Sequence, residues 1–146
     1  MRLRSLALAI LLATPADAGI QSPEPVHGPI RVIDGDTVRF ASGEIVRIYN
    51  IDAPETRRSR CPAEKRLGET ATAFLKALLK NGSVEISRCE PATGRCQDRY
   101  RRTLASLSTA QHGDVGEALI ASGLALPWQA GKAAHDARAH HWCATK

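Results

Sequence analysis

Four carboxylates fall in two short stretches of this sequence. Asp34 and Asp36 flank Gly35, and Asp52 and Glu55 straddle Ala53-Pro54. Arg47 precedes the second stretch, and Arg95, Arg99, Arg101 and Arg102 gather around Tyr100. Clustered carboxylates with a backbone carbonyl suit a hard cation such as Ca²⁺, which takes oxygen ligands in a flexible shell. Guanidinium groups fork onto phosphate oxygens. A cation, carboxylates and arginines together describe phosphodiester chemistry. On residue types alone, turn-capping aspartates and solvated arginines fit the same pattern equally well.

These groups need elements to bring them together. His27–Ile33 alternates weakly and reads as a strand, and Asp34-Gly35-Asp36 is a turn signal. Thr37–Phe40 and Glu44–Ile51 follow as second and third strands, joined through Ser42-Gly43. If the second and third strands pair, both carboxylate stretches can lie near one end of a sheet. Pro62 opens the strongest helix, in which Leu67, Ala71, Phe74, Leu75 and Leu78 form one apolar stripe, and Asn81-Gly82 stops it. Ser83–Cys89 and Arg102–Ser108 read as a fourth and a fifth strand. Asp114 caps a helix with Glu117 in capping-box position and Gly123 at its end. Gly131–Trp142 reads as a last, Ala-rich helix. Five strands with a helix between the third and fourth is the order of an OB-fold barrel, an α+β class.

The chain has 146 residues, 43% hydrophobic and 24% charged, which excludes a disordered or collagen-like polymer and allows one domain. Aromatics are only 4%, so the core must be aliphatic. The net charge of +5 suits polyanionic partners, as it also suits a merely solvated basic surface.

Residues 1–18 read as a secretory signal peptide. Arg2 and Arg4 precede the apolar run Leu6–Ala13, and Ala16-Asp17-Ala18 supplies small residues for cleavage. The run is shorter than the roughly 20 residues that span a bilayer, so the mature chain is expected free of the membrane. Residues 19–26 read as a flexible lead-in and 27–146 as the folded domain. Release near Ala18 places the protein in the periplasm or the medium.

Cys61, Cys89, Cys96 and Cys143 lie in that mature chain. An even count in a small exported domain reads as a disulfide framework, with three pairings open. A Cys89–Cys96 bridge would clip two adjacent strands and leave Cys61 for Cys143. A metal site from Cys89, Cys96, His141 and Cys143 is the competing reading, but its spacing matches no zinc knuckle.

Val32-Ile33-Asp34-Gly35-Asp36-Thr37-Val38, Val46-Arg47-Ile48 and Ile51-Asp52-Ala53-Pro54-Glu55-Thr56 resemble the thermonuclease, or staphylococcal-nuclease-like, family. Asp98-Arg99-Tyr100-Arg101-Arg102-Thr103-Leu104-Ala105 is similar to that family's D-[KR]-Y-G-R-x-x-A segment, and Val115–Leu124 to its next helix. Cys61-Pro62 and Trp142-Cys143 look like paired features of exported bacterial members, which supports the long-range disulfide. The resemblance runs from about Arg31 to Trp128.

It implies a nuclease domain of OB-fold type and a role for each matching residue. Asp36, Asp52 and the Ala53 carbonyl would hold Ca²⁺; the family usually has Thr at Ala53, but the backbone oxygen is what binds. Glu55 would act as general base. Arg47 and Arg102 would grip the scissile phosphate and stabilise the transition state. Arg99 and Tyr100 would contact the neighbouring phosphate, with Arg101 as an added contact. Asp34 would support the turn. The implied activity is Ca²⁺-dependent hydrolysis of DNA and RNA, with little sequence preference and 3′-phosphate products, by a monomer. A non-catalytic OB-fold that binds nucleic acid is the rival.

Two departures from the family pattern stand out. Arg101 replaces a Gly, which is costly if that backbone needs positive φ and could displace Arg102. The family's stacking tyrosines have no counterpart; Trp128 is the nearby aromatic, either a base platform or a lid on the core. His135, His140 and His141 are expected to face solvent.

Overall fold

The computed structural model describes residues 22–80 and 82–144. Among the described residues, nine strands and three helices follow in the order β1 (Glu24–Pro25), β2 (Arg31–Asp34), β3 (Thr37–Arg39), β4 (Ile45–Ile48), β5 (Ile51–Asp52), α1 (Pro62–Lys80), β6 (Val84–Arg88), β7 (Thr103–Thr109), β8 (Gly113–Asp114), α2 (Val115–Ala121), β9 (Leu126–Pro127) and α3 (Lys132–Ala144). Residues 1–18, read above as a signal peptide, and Asn81 lie outside the described residues. Among the described residues no helix is long and apolar enough to cross a membrane.

The main sheet runs β1-β6-β7-β4-β3-β2, with β8 beside β7. Five of these strands are the expected ones, and the sheet with its helices is an α+β OB-fold. The β2–β3 hairpin closes where the Asp36 N–H donates to Asp34 Oδ1 at 3.2 Å, an Asx turn. β4 sits centrally, antiparallel to β3 (Thr37↔Arg47) and parallel to β7 (Arg47↔Leu104). Val38, Val46, Ile48, Leu75, Ile86, Leu107 and Leu119 fill the core with almost no exposure. Each such aliphatic side chain contributes about 1.5–3 kcal/mol on leaving water.

Three local expectations change. The lead-in was expected to be flexible through residue 26, but Glu24 and Pro25 form β1. They pair antiparallel with Ile86 and Glu85, and Glu24 bonds Arg88 at 2.7 Å. The free edge of β6 supplies the hydrogen bonds, and an edge strand tolerates Pro25. The third strand, expected unbroken over Glu44–Ile51, breaks at Tyr49-Asn50 into β4 and β5. β5 leaves the main sheet to pair with β9 (Asp52↔Leu126). The stripe of α1 is rotated: Glu64, Gly68, Ala71, Leu75 and Leu78 are buried, whereas Leu67 and Phe74 are only partly so.

The reason for the rotation is close packing at Gly68. A Cβ there would lie 2.6 Å from the Pro54 carbonyl oxygen and 3.1 Å from the Glu55 carbonyl carbon. Ala in a helix interior ordinarily gains about 1 kcal/mol over Gly. Here the contact is with backbone that cannot step aside, so Gly68→Ala is expected to destabilise by about 1–3 kcal/mol. Urea unfolding measures it, and a gain in stability would contradict the close approach.

Two disulfides are present. Cys61–Cys143 joins the start of α1 to the end of α3, with Cα atoms 5.9 Å apart, and Cys89–Cys96 clips the segment between β6 and β7. No cysteine is free, so the alternative metal site of Cys89, Cys96, His141 and Cys143 is replaced by two covalent bridges.

Glu44 fastens the far side of the sheet. Its carboxylate accepts from Arg88 at 2.9 and 3.2 Å and from Thr103 Oγ1 at 2.8 Å. The Arg88 hydrogen bonds, against a smaller opposing effect of burial, hold its pKa below the usual 4.5. A lowered folded-state pKa stabilises above the unfolded value and is lost as pH falls beneath it. The wild-type Tm is therefore expected to drop more steeply than that of Glu44→Gln as pH is taken from 5 to 3, a window of about two units. Parallel profiles would remove Glu44 from the acid response.

Candidate active site

The β2–β3 turn presents Asp36, 9% exposed, at the mouth of the barrel. Its Oδ1 accepts from Thr37 Oγ1 at 2.9 Å and its Oδ2 from the Ala53 N–H at 3.1 Å. The same Oδ2 lies 2.9 Å from Arg47 Nη1. Arg47, equally buried on β4, also donates from Nη1 to the Ile48 carbonyl at 2.8 Å and from Nη2 to Asp52 Oδ1 at 3.0 Å. The break after β4 is what carries Asp52 to this place. One arginine thus joins a carboxylate of the β2–β3 turn to one on β5.

Glu55 stands in the loop beyond β5 with its edge in solvent. Partial burial, then the charges of Asp36, Asp52 and Glu64, push its pKa above the ordinary 4.5, with Arg47 opposing. Asp34 is pushed up to about 7, by burial first and the Asp36 charge second.

Glu64, 3% exposed on the first turn of α1, organises the Glu55 loop. One carboxylate oxygen accepts from the Glu55 N–H at 3.4 Å and the other from the Arg60 N–H at 2.6 Å. Sequence reading missed this residue, although an acidic side chain on the buried face of a helix's first turn is a visible sign.

Arg102 enters from the opposite side. Asp98 grips it twice, through Nε at 2.7 Å and through the backbone N–H at 3.0 Å. The Tyr100 N–H donates to the same Asp98 Oδ1 at 2.8 Å. These bonds, led by the Arg102 side chain, outweigh burial and hold the Asp98 pKa below its usual value. Arg101 does adopt a left-handed backbone, φ 64°. A Gly would bear that conformation without cost, and a non-Gly residue loses roughly 1 kcal/mol there. The Asp98 bonds offset the loss and Arg102 stays beside Asp98. Arg99 and Arg102 lie over the Tyr100 ring at 4.8 and 5.6 Å from its centroid, and Tyr100 is 63% exposed.

A cleft of about 660 Å³ opens beside Arg102, lined by Arg47, Tyr100, Arg102, Trp128, Lys132 and Arg138 among others; Asp36, Asp52 and Glu55 are not in its lining. Trp128, 37% exposed, is a wall of this cleft rather than a lid buried in the core. Its N–H donates to the Asn50 carbonyl at 2.9 Å, so the β4–β5 break also places this ring. His135, His140 and His141 are exposed, and His135 reaches the cleft rim within 3.2 Å of Arg60.

Arg138 was not anticipated. Its Nε bonds Asp52 Oδ2 at 2.6 Å and its Nη1 the Gln129 carbonyl at 3.0 Å. The sequence held one sign, a long cation among the small residues of the last helix, one turn before Trp142.

The OB-fold thus brings Asp36, Arg47 and Asp52 together, and Arg102 reaches their neighbour Thr37 Oγ1 at 3.4 Å. Residues 45–142 match the family described as Staphylococcal nuclease homologue, and the chain belongs to that family. It is similar to the succinoglycan biosynthesis protein ExoI of Rhizobium meliloti, 40% identical over 82% of this chain and 59% of that protein. It is 34% identical to the thermonuclease of Staphylococcus hyicus over 56% of this chain and 47% of that one. Endonuclease YhcR of Bacillus subtilis is 29% identical over 65% of this chain and 8% of its own length. The chain thus spans between a twelfth and three fifths of these relatives, which are larger proteins.

Proposed function

We propose that this protein is an exported, Ca²⁺-dependent nuclease that hydrolyses DNA and RNA with little sequence preference, leaving 3′-phosphate ends. The observation that carries it is Arg47, which faces the cleft with Arg102 and is bonded behind to both Asp36 and Asp52. Two disulfides fit a site of action in an oxidising compartment.

The donor set suits calcium. Asp36, Asp52 and the Ala53 carbonyl are hard oxygen donors, with the Asp36 carboxylate bonded to the Ala53 N–H and both carboxylates joined through Arg47. When bound, such an ion supplies Lewis-acid and templating chemistry. The chain's own residues do the rest. Arg47 and Arg102 approach the phosphate from two elements and stabilise the charge that develops on its equatorial oxygens. Glu55 accepts the proton of the attacking water. The water oxygen bonds to phosphorus, the P–O5′ bond breaks, and the leaving oxygen takes a proton from solvent. Tyr100 and Trp128 offer faces on which bases lie, and Arg99 and Arg101 meet neighbouring phosphates.

The names thermonuclease and endonuclease among the relatives agree with this activity. A second reading, a nucleic-acid binder without catalysis, is favoured by one feature: both oxygens of Asp52 already face guanidiniums. Incubating single-stranded DNA with the protein in Ca²⁺ or in chelator separates the two. Cleavage in Ca²⁺ and none in chelator is expected. Retained binding without cleavage in Ca²⁺ would overturn the enzyme.

A further inference from the structure

Arg138 is buried to 8% exposure at the inner face of α3. A buried guanidinium costs several kcal/mol unless it is paired and hydrogen-bonded. Asp52 and the Gln129 carbonyl supply those partners, at 2.6 and 3.0 Å. α3 is locked in place close by, through Trp142 at 3% exposure and the Cys61–Cys143 bridge. Arg138 is therefore delivered to Asp52 by a fixed helix and does not reach it by chance from a mobile arm. Arg47 holds the other oxygen of the same carboxylate.

We propose that Arg138 is a positioning residue of the metal site, an internal counter-cation that orients Asp52 in the metal-free protein and sets the affinity for Ca²⁺. The inference rests on the metal-dependent reading above. Arg138 and a divalent ion neutralise the same carboxylate, so each weakens the hold of the other. The arginine keeps Asp52 from repelling Asp36 and Glu55 while the ion is away, at a cost in affinity. Its guanidinium also lines the cleft beside Arg47, where charge released from Asp52 faces the substrate phosphate.

The opposing signs make the role testable. Ca²⁺ titration calorimetry and thermal unfolding, with and without Ca²⁺, are run on wild type, Arg138→Gln and Arg138→Lys. Arg138→Gln is expected to bind Ca²⁺ about tenfold more tightly. It should also lower the Tm in chelator and enlarge the rise in Tm that Ca²⁺ produces. At saturating Ca²⁺ its kcat on single-stranded DNA is expected to fall. Arg138→Lys, which keeps the charge, should return the Ca²⁺ affinity toward wild type. An unchanged or weaker Ca²⁺ affinity in Arg138→Gln overturns the proposal, the second result marking only a loosened helix. A wild type that binds no Ca²⁺ overturns the metal-dependent reading itself, and this inference with it.

Discussion

Arg102→Ala and Glu55→Gln are each expected to lower kcat for cleavage of single-stranded DNA by a factor of about 10²–10⁴. Glu55→Gln keeps shape and hydrogen bonding but removes the base, so KM should stay within about threefold. Arg102→Ala removes a charge-assisted donor that the cleft presents to the phosphate, and Arg102→Lys should restore only part, since an ammonium cannot fork onto two oxygens. Arg102 is also held by Asp98, so its loss leaves a carboxylate of lowered pKa without its main partner. A modest drop in Tm should accompany Arg102→Ala but not Glu55→Gln, and that difference separates folding from chemistry. The double variant should be little worse than the worse single one, because groups that act on one transition state are not additive. Cleavage by both variants at the wild-type rate would remove these residues from the reaction.

The largest effect on stability is expected from the Cys61–Cys143 bridge. It closes a loop of 82 residues against 7 for Cys89–Cys96. By loop-closure entropy the long bridge is worth about 4–5 kcal/mol and the short one about 2–2.5. A small domain's whole stability is about 5–15 kcal/mol, so the paired change Cys61→Ser with Cys143→Ser should bring the protein near the threshold of unfolding. Replacing both cysteines avoids a stray thiol. Urea midpoints for the two double variants test the order; a larger loss from Cys89→Ser with Cys96→Ser would reverse it. Because α3 carries Arg138, loss of the long bridge should also loosen the hold on Asp52.

Much of this protein is legible along the chain because it depends on near neighbours. The Asp34-Gly35-Asp36 turn is an Asx hydrogen bond across two residues. The α2 cap is an Asp114 oxygen accepting the Glu117 N–H at 2.9 Å, three residues on. Period-2 alternation marks β6 and β7 because each strand has one face on the core. The carboxylate and arginine positions follow the same logic, being set in short motifs on elements whose signals are strong. Only the folded chain decides the rest. Asp52 and Arg138 are 86 residues apart, and nothing local in the last helix states that its arginine will meet a carboxylate. The break of the third strand at Tyr49-Asn50 depends on β9 arriving to pair with β5, and the rotation of α1 depends on a backbone carbonyl 2.6 Å from where a Gly68 Cβ would stand. Arg101 takes a Gly conformation because Asp98 binds its flanking groups. The sequence by itself determined the elements and the chemical types at the site, since hydrogen bonds and apolar periodicity within a turn or strand suffice for those. The pairing of charges across the barrel mouth, which sets how the carboxylates stand, was decided by tertiary packing, because long-range contacts form only where buried charges find partners and backbones approach without clash.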